Sequence, residues 1–187
     1  MFNIKLFYCC KGNIMHIVLV GMMGVGKSSI GRNLSNTLKI PFYDIDQMIE
    51  ENESRTISKI FKESGEQYFR EKEEVLTLKA LQQEIRSIIA PGGGAFMSKV
   101  IRESVLDKSI SIWLKLDIET IVNRIGENKR RPLIIQNNQG AIEKILETRL
   151  LYYSMAKIHI SCDGKNIKDC SAEIVNKITE VELNEEN

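Results

Sequence analysis

The sequence from Gly21 to Ser28 reads GMMGVGKS, which matches the pattern G-x-x-x-x-G-K-[ST] at every fixed position. The residues before it, His16–Val20, form a short apolar run typical of a buried parallel strand. After it, Ile30, Leu34 and Leu38 recur at helical spacing. A glycine-rich turn between a strand and a helix points backbone N–H groups at one spot, so this stretch predicts a phosphate-binding P-loop.

The last two residues of the loop carry the chemistry that a nucleoside triphosphate needs. Lys27 brings a mobile positive charge to the β- and γ-phosphates, and the Ser28 hydroxyl is a hard oxygen donor suited to Mg²⁺. The residues at which we expect nucleotide binding are Gly24, Val25, Gly26, Lys27, Ser28 and Ser29.

The composition of the chain argues against a nucleic-acid-binding protein and against a membrane protein. The 187 residues include 26 basic and 25 acidic side chains without a basic stripe, which argues against a nucleic-acid partner. No apolar run approaches the roughly 20 residues that span a bilayer, so we expect no membrane association. The four cysteines form no C-x-x-C pair, which favours reduced thiols. We therefore expect a cytoplasmic protein, and a monomer.

The chain divides into one domain and two short ends. Residues 1–14 precede the first predicted strand and form an N-terminal extension, and Met15 could be the start of the functional domain. Residues 15–178 have the length of a single α/β domain. Residues 179–187 form an acidic tail that we expect to fray.

Apolar and amphipathic runs alternate along the domain, which predicts βαβ units and a five-stranded parallel sheet flanked by helices. The predicted strands are His16–Val20, Pro41–Tyr43, Ser87–Ala90, Ser109–Leu114 and Ile158–Ser161. The predicted helices are Lys27–Leu38, Ile45–Glu51, Thr56–Glu63, Glu66–Gln83, Lys99–Ser104, Ile118–Arg124, Gly140–Met155 and Ser171–Val181.

The residues from Gly126 to Gly140 interrupt this alternation. They are polar and basic, and they are too many for a plain connection between secondary-structure elements. A solvated loop is one interpretation. A mobile lid that carries arginines is the other, since arginine stabilises the negative charge of a transferred phosphoryl group. The arginines that flank or occupy this segment are Arg124, Arg130, Arg131 and Arg149.

Two carboxylates come directly after the second predicted strand, where ligands bind in open parallel sheets. Alternation along an extended segment would place Asp44 and Asp46 on the same side of the chain. One of them could then lie near Mg²⁺ and the other near a substrate hydroxyl.

Two more segments have the composition of a ligand site. Arg70 opens a predicted helix beside two aromatic residues, a partly buried setting in which a guanidinium binds a carboxylate through two hydrogen bonds. The triplet Gly92–Gly94 follows a buried strand and permits close approach of the backbone to a ligand. We interpret Asp117, after the fourth strand, as the N-cap of the next helix rather than as a second magnesium ligand.

Together these residues resemble the shikimate kinases, over most of the chain from about Met15 to about Ile178. The matching motifs are the P-loop, Asp44-x-Asp46, Gly65-Glu66-x-x-Phe69-Arg70-x-x-Glu73, Gly92-Gly93-Gly94-Ala95, Arg131-Pro132-Leu133, and Arg149 with Tyr153. The resemblance implies a P-loop kinase fold with a mobile lid. It also implies transfer of the γ-phosphate of ATP to the 3-hydroxyl of shikimate, in aromatic amino-acid biosynthesis.

The resemblance further implies a role for each matching residue. The catalytic residues would be Lys27, Asp46 and Arg131, and the Mg²⁺ ligands would be Ser28 and Asp44. Shikimate would be bound by Asp46, Arg70, Gly92, Gly93, Gly94 and Arg149. Beyond the P-loop, ATP would be bound by Arg124 against the adenine, by Arg131 from the lid and by Lys165 in the loop that lines the base.

Three other functions fit parts of the sequence. A gluconate kinase would share the P-loop and the lid, but Arg70 and Arg149 favour an anionic substrate and Asp46 favours one with hydroxyls. A nucleotide-dependent switch would need a base-recognition motif, and the residues from Asn128 to Arg131 lack the aspartate of the guanine motif N-K-x-D. A degenerate kinase would bind ATP without turnover, although every expected polar group is present.

Overall fold

The computed structural model of the chain describes residues 14–126 and 139–185. Within them, five parallel strands form one sheet in the order β2-β3-β1-β4-β5. The strands are β1 (His16–Val20), β2 (Phe42–Asp44), β3 (Ile88–Ala90), β4 (Ser109–Lys115) and β5 (Ile158–Ser161). The flanking helices are α1 (Lys27–Leu38), α2 (Ile45–Glu53), α3 (Ile57–Ala80), α4 (Lys99–Lys108), α5 (Ile118–Gly126), α6 (Gln139–Tyr153) and α7 (Ile167–Glu185). The predicted α/β fold with a five-stranded parallel sheet is confirmed.

Strands β1 and β3 are buried along their whole length, which explains their apolar sequences, whereas β5 at the edge of the sheet alternates buried and exposed residues. Strand β1 lies at the centre, between β3 and β4. Val18 and Val20 pack into a core with residues of α2, α3 and α4. Ile17 and Leu19, which alternate with them, pack into a second core with residues of α1 and α7.

Because all five strands are parallel, their carboxyl ends meet at one edge of the sheet. The P-loop follows β1, Asp46 follows β2 and the glycine triplet follows β3. Asp117 and Lys165 follow β4 and β5. The topology therefore brings segments that are distant in sequence to the edge where open parallel sheets bind their ligands.

The two aspartates of the D-x-D motif do not alternate along one extended segment, and that prediction is wrong. The chain enters α2 directly at Ile45. Asp44 is the N-cap of α2, and its side chain accepts a hydrogen bond from the N–H of Gln47 at 3.4 Å. Asp46 lies in the first turn of the helix. An N-cap aspartate stabilises the helix start, so helix formation decides the local backbone here.

The two helices predicted at Thr56–Glu63 and Glu66–Gln83 are both present, and we number them together as α3 because they join at a kink. Gly65 at the kink has φ 83° and ψ 172°, a conformation that is open almost only to glycine. We refer to the residues after Gly65 as the second half of α3. This half carries Arg70.

Gly65→Ala is expected to lower the free energy of unfolding by about 1–3 kcal/mol, because a Cβ strains this backbone conformation. The expected loss does not come from steric crowding, since beyond the adjacent backbone no atom lies within 4 Å of an added Cβ at either Gly65 or Gly140. Gly140 lies in α6 without a positive φ, so Gly140→Ala is the matched control and should be neutral or stabilising by up to about 1 kcal/mol. Urea denaturation measures the free energy of unfolding of both variants. Equal changes in Gly65→Ala and Gly140→Ala would contradict backbone strain at Gly65.

The last helix is longer than predicted at both ends. It begins at Ile167 instead of Ser171 and continues through residues 179–185, which the sequence suggested were part of a tail. Glu182 forms an ion pair with Arg86, at 2.6 Å between Oε1 and Nη1, and both side chains are largely buried. This contact attaches the end of α7 to the segment before β3.

Residues 1–13, 127–138 and 186–187 lie outside the described part of the chain. The predicted lid with Arg130 and Arg131 and nearly all of the predicted N-terminal extension fall there, so both stay predictions. No helix among the described residues is both long enough and apolar enough to cross a membrane.

Candidate active site

A cleft of about 890 Å³ lies at the carboxyl edge of the sheet. Residues 23–30 of the P-loop and α1 form one part of its wall, and Asp44 and Asp46 form another. Arg124 of α5 and Lys165 after β5 also line it. The cleft thus brings together all the predicted nucleotide and metal residues that the structure describes.

The P-loop presents a helix N-terminus to this cleft. Helix α1 begins at Lys27 after Gly26, without a side-chain cap, so the first turn directs its N–H groups toward the cleft. The Lys27 ammonium donates to the carbonyls of Gly21 at 2.9 Å and Met22 at 3.0 Å. The loop therefore holds its lysine beside the place where phosphates would bind.

Two predicted ATP residues, Arg124 and Lys165, differ in what they contact. Arg124 donates from Nη1 to the carbonyl of Gly24 at 3.3 Å, so it lies against the P-loop. Lys165 pairs with Glu173 of α7 at 2.5 Å, and its Nζ also donates to the carbonyl of Ser161 at 2.9 Å. The bond to Glu173 raises the pKa of Lys165. Lys165 thus fastens the loop after β5 to α7.

Asp117 has the capping role that the sequence suggested. Its Oδ1 accepts from the N–H of Thr120 at 2.9 Å, and the Thr120 hydroxyl donates to its other oxygen. These bonds lower the pKa of Asp117. Its own N–H donates to Asp163 at 2.7 Å, so the cap also ties α5 to the loop after β5.

Two carboxylates meet beside the first glycine of the triplet. A Cβ on Gly92 would overlap Oε1 of Glu73 and would lie 3.0 Å from Oδ1 of Asp46. Glu73 is buried in α3, with 1% of its side chain exposed. Only a residue without a side chain leaves room for both carboxylates at this point.

Arg70 is held between a buried and an exposed carboxylate. Its Nη1 pairs with Glu73 Oε2 at 2.6 Å, and its Nη2 pairs with Glu66 Oε1 at 3.0 Å. Burial works to lower the pKa of Arg70, but the two carboxylates outweigh it and raise the pKa. A Cβ on Gly94 would lie 2.7 Å from both Nη atoms, so the guanidinium rests directly against the triplet.

Arg149 and Tyr153, one turn apart on α6, contact the P-loop and the triplet. Arg149 Nη1 lies 3.8 Å from the sulfur of Met22. Tyr153 is fully buried, and its hydroxyl donates to the carbonyl of Gly93. Burial raises the pKa of Tyr153, so the hydroxyl stays a neutral donor. Helix α6 thus joins the P-loop to the glycine triplet.

The glycine triplet approaches the protein's own groups closely. A Cβ on Gly93 would lie 2.9 Å from the backbone nitrogen of Met23 in the P-loop. The triplet therefore packs against the P-loop, Arg70, Asp46 and Glu73, whereas the sequence suggested close approach to a ligand. Contact between Gly92–Gly94 and a substrate stays a prediction.

The sequence motif that contains Glu73 did not predict a role for this residue. The available signal was its spacing of three from Arg70, which places oppositely charged side chains side by side on a helix. Cys162 and Cys170 are buried free thiols, as the sequence suggested, but their position at the wall of the cleft was not predicted. Burial raises the pKa of Cys162 to about 12, so this residue stays a thiol.

A phosphate-binding loop that shares one edge of a parallel sheet with an arginine–carboxylate cluster defines a P-loop kinase of small molecules. A family model described as shikimate kinase matches residues 23–181. The chain belongs to the shikimate kinase family, which confirms the resemblance drawn from its motifs.

Individual relatives agree with this assignment. A shikimate kinase from Zymomonas mobilis is 41% identical over 145 residues, which are 77% of this chain and 82% of the relative. The structure of a shikimate kinase from Acinetobacter baumannii in complex with shikimate has a TM-score of 0.87 and 30% identity, and the match covers 97% of this chain and 99% of that one. A gluconokinase from Sinorhizobium meliloti, with a TM-score of 0.54, is 11% identical and shares only the fold.

Proposed function

We propose that this chain transfers the γ-phosphoryl group of ATP to the 3-hydroxyl of shikimate, with Mg²⁺ as its metal. The observation that carries the proposal is the set of neighbours of the glycine triplet. Gly92 faces Asp46 and Glu73, Gly93 backs onto the P-loop, and Gly94 supports Arg70. These contacts support a phosphate site that would adjoin a site for an anionic, hydroxylated molecule.

On the nucleotide side, the P-loop provides binding and charge. The N–H groups at the start of α1 and the Lys27 ammonium would hold the β- and γ-phosphates. Arg124, which already contacts the loop at Gly24, would lie against the adenine. Arg131, from the predicted lid, would close over the phosphates and stabilise the negative charge that is transferred.

The residues beside Lys27 fit a magnesium ion. The Ser28 hydroxyl and the Asp44 carboxylate both line the cleft, and both are the hard oxygen donors that Mg²⁺ prefers. We propose that these two hold the ion, which when bound would neutralise charge on the β- and γ-phosphates.

On the acceptor side, the arginines and the aspartate would bind different groups of shikimate. Arg70 and Arg149 would bind the shikimate carboxylate, for which a planar guanidinium provides two parallel hydrogen bonds. Asp46 would accept a hydrogen bond from the 3-hydroxyl and orient it toward the γ-phosphorus, as a base or as an orienting group. The backbone of Gly92–Gly94 would complete the acceptor site.

The proposal is tested by coupled measurement of ADP release from ATP and Mg²⁺ with shikimate, with gluconate, and without an acceptor. Release that depends on shikimate alone is the expected result. Release with gluconate instead would support the gluconate kinase alternative. ATP binding without turnover on any acceptor would support a degenerate kinase.

A further inference from the structure

A group of three charged residues and one tyrosine outside the cleft joins α2 to the second half of α3. Glu53 is the last residue of α2, and 11% of its side chain is exposed. Its Oε2 accepts from Arg55 Nη2 at 2.6 Å and from the Tyr68 hydroxyl at 2.8 Å, and its Oε1 pairs with Lys72 Nζ at 2.9 Å. We call these four residues the Glu53 hub. None of them lines the cleft.

The hub is compact and stays charged. The bonds from Lys72, Arg55 and Tyr68 lower the pKa of Glu53 to about 2, so its carboxylate is ionised at any working pH. The Tyr68 ring has Lys72 Nζ 5.1 Å and Arg55 Cζ 5.8 Å from its centroid. Each donor therefore contacts both the carboxylate and another member of the hub.

The hub connects the two helices that carry the acceptor residues. Asp46 lies in the first turn of α2 and Glu53 is the last residue of the same helix. Tyr68 and Lys72 are one turn apart on the second half of α3, and Arg70 lies midway between them. At about 100° per residue, Arg70 points roughly 200° away from both. A shift or rotation of this helix at the hub would therefore move Arg70 on its far side.

Other contacts of Arg70 do not replace this connection. Its carboxylate partners Glu66 and Glu73 belong to the same helix, so they orient the side chain but do not fix the helix. Phe69 packs on Phe61 across the kink, with ring centroids 4.8 Å apart, and is buried in the core that includes Ile45 and Ile49 of α2. This apolar packing holds the two helices together without directional bonds. Directional bonds from this face of the helix to α2 come from the hub.

We propose that Glu53 is a positioning residue for the acceptor site: by binding Tyr68 and Lys72 at the end of α2, it sets where Arg70 lies relative to Asp46. The inference rests on the proposed function, because it takes Arg70 as the group that binds the shikimate carboxylate. It goes beyond that function in assigning part of shikimate affinity to a residue that would not touch the substrate.

Glu53→Ala tests the proposal through the steady-state constants of both substrates. We expect the KM for shikimate to rise about tenfold, within the range of coupling between connected residues, and the KM for ATP to change by less than about twofold. Glu63→Ala is the matched control, since Glu63 pairs with the same Arg55 at 3.4 Å from the first half of α3. It should leave both constants unchanged. An equal rise of both constants in Glu53→Ala would overturn the proposal.

A double-mutant cycle with Arg70→Lys decides whether the hub acts through Arg70. We expect Glu53→Ala to raise the shikimate KM much less in the Arg70→Lys background than in the wild type. Equal factors in both backgrounds would overturn the proposal. If Glu53→Ala does not fold, Tyr68→Phe removes a single bond of the hub, and the same cycle applies with a rise of about two- to fivefold.

The wild-type assay separates this inference from the function on which it rests. An absence of shikimate-dependent ADP release by the wild type would overturn the proposed function, and the hub with it. Shikimate-dependent release together with an unchanged shikimate KM in Glu53→Ala would overturn the hub alone.

Discussion

Lys27→Ala is expected to lower kcat by at least about 10²–10³-fold, because it removes a positive charge from the transferring phosphate. The side chain is not part of the hydrophobic core. Its contacts to the carbonyls of Gly21 and Met22 hold it at the P-loop, so its loss should act on chemistry more than on folding. Single-turnover phosphoryl transfer with saturating substrates measures the effect directly.

A matched lysine separates this effect from a general loss of charge. Lys99 on α4 has 78% of its side chain exposed, and Lys99→Ala should leave kcat unchanged. The melting temperatures of both variants should stay close to that of the wild type. If Lys27→Ala kept most of its kcat, the assignment of the P-loop as the phosphate site would be wrong.

Arg70→Lys is expected to lower shikimate affinity roughly 10- to 150-fold, since a charge-assisted hydrogen bond contributes about 1.5–3 kcal/mol. Lysine keeps the charge but loses the planar fork. In the structure one edge of the fork is engaged by buried Glu73, and the other faces Glu66, whose side chain is 63% exposed. Glu66 is the partner that a substrate carboxylate could displace, because exposed ion pairs contribute little. ATP affinity should change little.

Two comparisons test whether Arg70 binds the carboxylate of shikimate. Titration of shikimate against an analogue with a neutral amide in place of the carboxylate should show a much larger loss for shikimate in Arg70→Lys. Glu66→Gln is the control on the exposed side, and shikimate affinity should stay equal or rise slightly. Equal losses for shikimate and the amide would mean that Arg70 only supports the pocket.

The predicted parts of this fold depend on short-range patterns. The P-loop motif, the apolar strands and the helical spacing are each visible within about ten residues, and bounds such as Lys27–Leu38 agree with the structure. The parallel sheet follows from their alternation, because parallel strands require crossover helices. The order β2-β3-β1-β4-β5 does not follow from it, because strand neighbours are chosen by long-range packing.

The backbone at the D-x-D motif was predicted wrongly, for a physical reason. The sequence suggested an extended D-x-D segment, but the Asp44 cap starts a helix at once, and capping outweighs strand alternation there. The residue type at Asp44 is compatible with a strand end or with a helix cap, and the first turn of α2 decides between these two conformations. The two helices predicted on either side of Gly65 are present, and the non-helical backbone of this glycine separates them.

By itself, the sequence determined the class of the protein, the phosphate loop and the charged residues that we propose for the acceptor site. Tertiary structure alone decided how these residues meet. Arg149 reaches Met22 across 127 residues of sequence, and Tyr153 reaches Gly93 across 60. The Glu53 hub likewise joins the end of one helix to a face of another. Such contacts depend on how helices pack against the sheet, and spacing along the chain carries no information about packing between distant segments.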